Sequence, residues 1–101
     1  MTAHNTPRVL ILDDERVIVD LLCMVLNHYG YESRGAYTHS SAVATAREFR
    51  PDVFLTGFNN VCDKNGCETA VEILALLPQC RIIISSGAQS ASKETLNKHS
   101  I

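Results

Sequence analysis

Residues 8–15 read Arg-Val-Leu-Ile-Leu-Asp-Asp-Glu, an uninterrupted apolar run that ends abruptly in three acids. A short continuous apolar run is typical of a parallel strand that is covered on both faces. The run therefore predicts a buried first strand over residues 8–12, and the carboxyl end of this strand delivers Asp13 and Asp14.

Two helices are predicted next, each preceded by a strand. Residues 16–29 carry apolar residues at spacings of three and four, which predicts one buried stripe, and Gly30 follows as a stop. The stripe comprises Val17, Ile18, Leu21, Leu22, Val25, Leu26 and Tyr29. After a weaker strand over 31–36, Thr38 caps a helix over 39–49 that ends before Pro51. Its inward residues are Ala42, Val43, Ala46 and Phe49.

The same alternation continues to the end of the sequence. A third strand over 53–57 is followed by a loop over 58–66 and a helix over 67–77. That helix is predicted to face inward with Ala70, Val71, Leu74 and Leu77. A fourth strand over 82–84 precedes a weak helix over 89–99. Strands alternating with helices at this spacing predict an α/β fold with a parallel sheet.

Composition narrows the class of protein. The 101 residues suit one domain, and 46% hydrophobic with 20% charged residues indicates a globular chain. A net charge of −2 without a basic patch argues against a nucleic-acid partner. No apolar stretch approaches the ~20 residues that span a bilayer, and residues 1–6 lack an apolar signal core. We expect a cytoplasmic protein with no membrane partner, whose four cysteines are reduced thiols.

The candidate site lies where the predicted strands end, because open parallel sheets bind ligands beyond the carboxyl ends of their strands. At that edge the sequence places Asp13 and Asp14, Thr56 and Gly57, and Ser86 and Gly87. Two adjacent acids repel each other unless a cation offsets them, and Mg²⁺ bound through carboxylate oxygens is the natural partner.

Four stretches of this sequence resemble the receiver domain of response regulators. They are residues 9–15, 47–53, 65–68 and 82–87, in that order. The resemblance runs from about Pro7 to the end, so we expect a tail over 1–6 and a receiver-like domain over 7–101. It implies a flavodoxin-like, doubly wound parallel sheet with strand order 2-1-3-4.

The resemblance also implies a function, that of a two-component phosphorelay module that is not itself an enzyme. Members of the family take phosphate from a histidine kinase onto an aspartate. Asp13 and Asp14 match the acids that hold Mg²⁺ there, and Ser86 matches the hydroxyl that follows the phosphate. Counted from Pro51, the acceptor position falls on Gly57, which can be neither nucleophile nor ligand.

Two further departures support a degenerate member. The pocket loop has Asn59 near the place where the family carries a methionine-proline pair, and the sequence stops at Ile101, before the family's fifth strand, its lysine and its fifth helix. We expect weak Mg²⁺ binding, no other cofactor, and contact with a histidine kinase or another response regulator. An uncovered fourth strand would also favour a homodimer through its edge.

Two alternatives remain open. Asp63, in the longer loop, would be a displaced phosphate acceptor, whereas Asp52 begins the third strand at the opposite end. A flavodoxin-like binder of an anion or nucleotide would use the same crevice, although the sequence has no G-x-G-x-x-G or Walker loop.

Overall fold

The computed structural model describes residues 6–57 and 64–85 of the chain. Strands and helices alternate through both ranges. The strands are β1 (Arg8–Leu12), β2 (Glu32–Ala36), β3 (Val53–Gly57) and β4 (Arg81–Ser85), and the helices are α1 (Arg16–His28), α2 (His39–Phe49) and α3 (Lys64–Leu76). The predicted weak helix over 89–99 lies outside the described residues.

The four strands form one parallel sheet in the order β2-β1-β3-β4, which confirms the predicted fold class and strand order. Leu12 lies opposite Thr56, and Gly57 lies opposite Ser85. The carboxyl ends of β1, β3 and β4 therefore meet at one edge of the sheet.

Helices cover both faces of the sheet. On one face, α2 and α3 pack over a buried cluster that includes Leu10, Leu12 and Phe54. On the other face, α1 packs on β1 and β2, and Val19 is buried against Val9 and Ile11.

The prediction for α2 is confirmed in full. Thr38 accepts a hydrogen bond from the Ser41 backbone N–H, and all four predicted inward residues are buried. The helix ends at Phe49, and Arg50 adopts the left-handed conformation just before Pro51.

The prediction for α3 is correct only in part. The helix begins at Lys64, inside the predicted loop and three residues before the predicted start. Ala70 and Leu77 are buried and Leu74 is half-buried, but Val71 is exposed, and Ile73 is buried instead.

The predicted stripe of α1 is wrong for most of its members. Val19 is the fully buried residue of the helix, and Leu22, Cys23 and Leu26 pack beside it. The exposed members of the predicted stripe are Val17, Ile18, Leu21, Val25 and Tyr29. Because α1 is apolar around most of its circumference, spacing alone could not select the inner face.

Gly35 accounts for the choice of inner face. A Cβ atom built on this residue would overlap the Val19 side chain, so the missing side chain lets α1 approach β2 closely. Glycine in a strand often marks such an approach, and β2 continues through Gly35 to Ala36.

The substitution Gly35→Ala should destabilise the chain by about 1–3 kcal/mol, because the added methyl group overpacks the contact with Val19. Val19→Ala alone also destabilises, since it leaves a cavity. The loss in free energy of unfolding in the double variant should be smaller than the sum of the two single losses by at least ~0.5 kcal/mol, because each change relieves the other. Urea denaturation measures all three variants.

The exposed Val71 supplies the control. Val71→Ala combined with Gly35→Ala should be additive, because Val71 lies on another helix and is exposed to solvent. If the Val19 pair were equally additive, the close contact between α1 and β2 would not be the reason for this glycine.

Candidate functional site

The site is built at the carboxyl edge of the sheet by the residues that follow β1 and end β3. Because Leu12 pairs with Thr56, the next residues along each strand, Asp13 and Gly57, are neighbours. Leu12 and Thr56 are buried on the α2 and α3 side, and side chains alternate along a strand. A side chain at position 57 would therefore lie beside that of Asp13, but Gly57 has no side chain.

Asp13 is held by two hydrogen bonds. Its backbone N–H donates to the Ala36 carbonyl at 3.3 Å, and its Oδ1 accepts from the Glu15 backbone N–H at 2.9 Å. Burial raises the pKa of the Asp13 carboxyl above its ordinary value, and the neighbouring Asp14 carboxyl raises it further against the lowering effect of the Glu15 hydrogen bond. Burial, which disfavours the charged form, is thus the largest influence on the Asp13 carboxyl among the described residues.

The described residues do not form a complete magnesium site. Asp13 and the exposed Asp14 supply two adjacent carboxylates, and Gly57 supplies none. Within 6–57 and 64–85, no group of three or more histidine, cysteine or acidic side chains is placed to hold a metal. Ion affinity depends on ligand number and charge, and the carboxylates that the described part of this edge offers are those of Asp13 and Asp14.

Of the other predicted site residues, the structure describes Thr56. Thr56 is buried and its hydroxyl donates to the Gly57 carbonyl at 3.3 Å, so this side chain lies on the α2 and α3 face of the sheet, opposite to the face of Asp13. The remaining predicted members, Asn59, Asp63, Ser86 and Gly87, lie outside the described residues.

Asp52 lies at the opposite end of the sheet, as expected. Its Oδ2 accepts from the Arg8 backbone N–H at 2.9 Å, and its own N–H donates to the Arg8 carbonyl. The Arg8 guanidinium in turn donates through Nη1 to the Phe49 carbonyl at 2.7 Å. Asp52 is therefore part of the pairing between β1 and β3 at their amino ends.

His39 has contacts that the sequence did not predict. Its Nδ1 lies 2.8 Å from Thr69 Oγ1, and its Nε2 lies 2.8 Å from Glu72 Oε1. A hydroxyl, an imidazole and a carboxylate in this order resemble a hydrolytic triad. Thr69 is 0% exposed, however, so no substrate reaches its hydroxyl, and the three side chains instead join α2 to α3.

Comparison with known proteins agrees with this geometry. The chain is 32% identical to the chemotaxis protein CheY of Thermotoga maritima over 80 residues, which cover 78% of this chain and 66% of that protein. It is 44% identical over 45 residues to the probable transcriptional regulatory protein TcrX of Mycobacterium tuberculosis, covering 45% of this chain and 19% of that protein. No family model matches the chain.

Solved structures give the same result. A CheY-like response regulator receiver domain protein from Methanospirillum hungatei superposes with a TM-score of 0.77 at 26% identity, covering 95% of this chain and 78% of that chain. The parallel sheet with acids at its carboxyl edge is thus that of a two-component signalling module. The chain belongs to the response-regulator receiver family.

In the part of the chain that the structure describes, none of the three helices has the length and apolar character needed to span a membrane.

The raised pKa of Asp13 predicts a pH-dependent stability. The folded chain holds this proton more tightly than the unfolded chain, so stability falls as pH rises from the ordinary aspartate pKa of ~3.9 through the raised value. Asp13→Asn keeps an Oδ1 acceptor for Glu15 and removes the charge. It should melt modestly higher than the native chain at pH 7, and the difference should shrink toward pH 3.

Glu48→Gln is the matched control, because Glu48 is an exposed acid on α2. Its melting temperature should follow the native value across the same pH series. The prediction would be wrong if the native chain became more stable than Asp13→Asn as the pH rises to 7. That result would show that the Asp13 charge is stabilised at this edge.

Proposed function

We propose that this chain is a cytoplasmic receiver module of two-component phosphorelay signalling that is not phosphorylated at the family's acceptor position. In this proposal it acts by contact with another protein. The observation that carries the proposal is Gly57, which ends β3 beside Asp13 at the edge where phosphoryl chemistry takes place in this family.

The chemical argument is the absence of a nucleophile. Phosphoryl transfer to a protein requires an oxygen nucleophile held in line with the phosphorus atom, together with cations that offset the charge of the phosphoryl oxygens. Gly57 provides no such oxygen, and Asp13 with Asp14 provides fewer carboxylates than a closed magnesium site needs. In this proposal the reaction therefore lacks an acceptor at position 57 and, among the described residues, part of its electrostatic support.

The proposed mode of action is occupation of a partner's surface by a receiver fold that does not switch. The partner is a histidine kinase or another response regulator, and neither nucleic acid nor membrane is involved. The contact surfaces are the loops around Gly57 and Ser86, or α1. Exposed apolar residues on α1 support the last of these. Pairing of two chains along β4 is a further form of contact, supported by the 49% exposure of Ile83.

Incubation with acetyl phosphate and Mg²⁺, followed by intact-mass measurement under native conditions, tests the proposal. The native chain should gain no phosphoryl group. A phosphoryl group that is found on the native chain and is lost in Asp63→Asn would overturn the proposal in favour of Asp63 as the acceptor.

Substitution of the glycine tests the same idea in the opposite direction. Gly57→Asp should raise the affinity for Mg²⁺ by about tenfold or more, because it adds a third carboxylate beside Asp13. Gly57→Asn is the matched control, since it adds a side chain of the same size without charge. Equal Mg²⁺ affinities of the two variants in titration calorimetry would show that position 57 does not face the acids.

A further inference from the structure

Phe49 ends α2 at the amino end of the sheet, and two arginines of the sheet stack on its ring. The guanidinium carbon of Arg8 lies 5.4 Å from the ring centroid, and that of Arg34 lies 4.6 Å from it. The Phe49 side chain is buried, so it is a fixed platform for both guanidiniums. The hydrogen-bond donors of a guanidinium lie in its plane, so stacking on a ring orients these donors without using them.

Arg8 is engaged within the chain. Its Nη1 donates to the Phe49 carbonyl at 2.7 Å, and its Nε lies 3.4 Å from Glu32 Oε1. The first contact offsets the partial negative charge at the C-terminal end of α2. The second offsets the acid that shares one side of β2 with Arg34. Neither the helix end nor Glu32 therefore requires a second cation.

Arg34 has no such role among the described residues. It is exposed on β2, the outer strand of the described sheet. Within residues 6–57 and 64–85, no acid forms an ion pair with its guanidinium, whose printed contact is the stacking on Phe49. In this part of the chain the donors of Arg34 are therefore oriented by the ring and unused.

Arg50 adds a second exposed guanidinium directly after Phe49. It is the C-cap residue of α2, with φ 52° and ψ 65°, and it is the non-glycine residue of the described ranges with a positive φ. A left-handed residue at the end of a helix is usually glycine, because a side chain makes this conformation costly. The backbone alone would thus favour glycine at position 50, and residues held in such conformations concentrate at functional sites.

Arg16 shows that a stacked arginine is not sufficient for an anion site. Its guanidinium carbon lies 4.5 Å from the Tyr37 ring centroid, nearly the distance of Arg34 from the Phe49 ring. The three residues before Arg16, 13–15, are all acids, and they repel an anion at this edge of the sheet. At the amino end, Arg8 is already paired with Glu32, so the charges of Arg34 and Arg50 remain.

We propose that Arg34, Arg50 and the Phe49 ring, which we call the arginine site, bind carboxylates of an acidic segment of a partner protein. A planar guanidinium holds a carboxylate through two parallel hydrogen bonds, and two guanidiniums take two acids of one segment. The exposed Glu48 interrupts the positive charge, which favours separate carboxylates over a continuous phosphate backbone. The arginine site is a contact surface beyond those of the proposed function, and it does not depend on phosphorylation.

Titration calorimetry of the full chain with a capped hexaglutamate peptide at low ionic strength tests the site. The native chain should bind the peptide, and added salt should weaken binding because exposed charges are screened. Arg34→Gln and Arg50→Gln should each lower the affinity about fivefold, the upper range for one exposed ion pair. A capped hexaglutamine peptide should not bind.

Two further variants separate recognition from structure. Arg34→Lys keeps the charge but lacks the planar fork, so it should bind the peptide more weakly than the native chain with an unchanged circular dichroism spectrum. Arg16→Gln removes a similarly stacked arginine from the opposite edge of the sheet, so it should bind like the native chain.

A native chain that does not bind the peptide overturns the inference, as does an unchanged affinity in Arg34→Gln or in Arg34→Lys. Tighter and equally arginine-dependent binding of a single-stranded oligonucleotide of matched charge also overturns it, since the ligand would then be phosphate. An affinity that rises in Asp63→Asn or Glu94→Gln overturns it as well, because acids of the same chain would then occupy the arginines. None of these results bears on phosphorylation, which the mass measurement tests separately.

Discussion

Strand β1 lies between β2 and β3, and Val9 to Leu12 are buried on both faces of the sheet. Because successive side chains point to opposite faces, the burial of β1 requires cover on both sides. Two helices, α2 and α3, close over Leu10 and Leu12, whereas α1 alone covers Val9 and Ile11 among the described residues. Within the described residues, α1 therefore covers its face of the sheet over β1 and β2.

In this parallel sheet, the backbone contacts that form the fold are different from the side chains that would carry the chemistry. The strands deliver Asp13 and Gly57 to one edge through backbone pairing, and that pairing does not use the side chain at position 57. Gly57 continues the extended strand opposite Ser85, so the strands pair at this position without a carboxylate. The fold and the chemistry of the site thus depend on different groups, because function depends on the site rather than on the fold.

Prediction from the sequence succeeded where one physical signal dominated. The apolar run of β1 and the cap and spacing of α2 have single interpretations, and the structure agrees with both. It failed for α1, because the inner row of this helix is selected by the close approach of Val19 to Gly35, a contact between distant parts of the chain. The contact of His39 with Thr69 was missed for the same reason, since the two residues are 30 positions apart. At the site, topology predicted that Asp13 and Gly57 adjoin, but only coordinates gave the hydrogen bond from Glu15 to Asp13.

The hydrogen bond from Glu15 to Asp13 links the acids at the carboxyl edge of the sheet to helix α1. Glu15 is the N-cap residue of α1, so the loop that carries the acids also contains the start of this helix. A ligand or proton that changes how Asp13 holds Glu15 would therefore shift the start of α1 only through a difference in affinity between the two arrangements, and a partner that binds α1 and distinguishes these arrangements would alter binding at Asp13 by the same factor. Such a reciprocal equilibrium requires no oxygen nucleophile at position 57, so it is compatible with the proposed module that is not phosphorylated there.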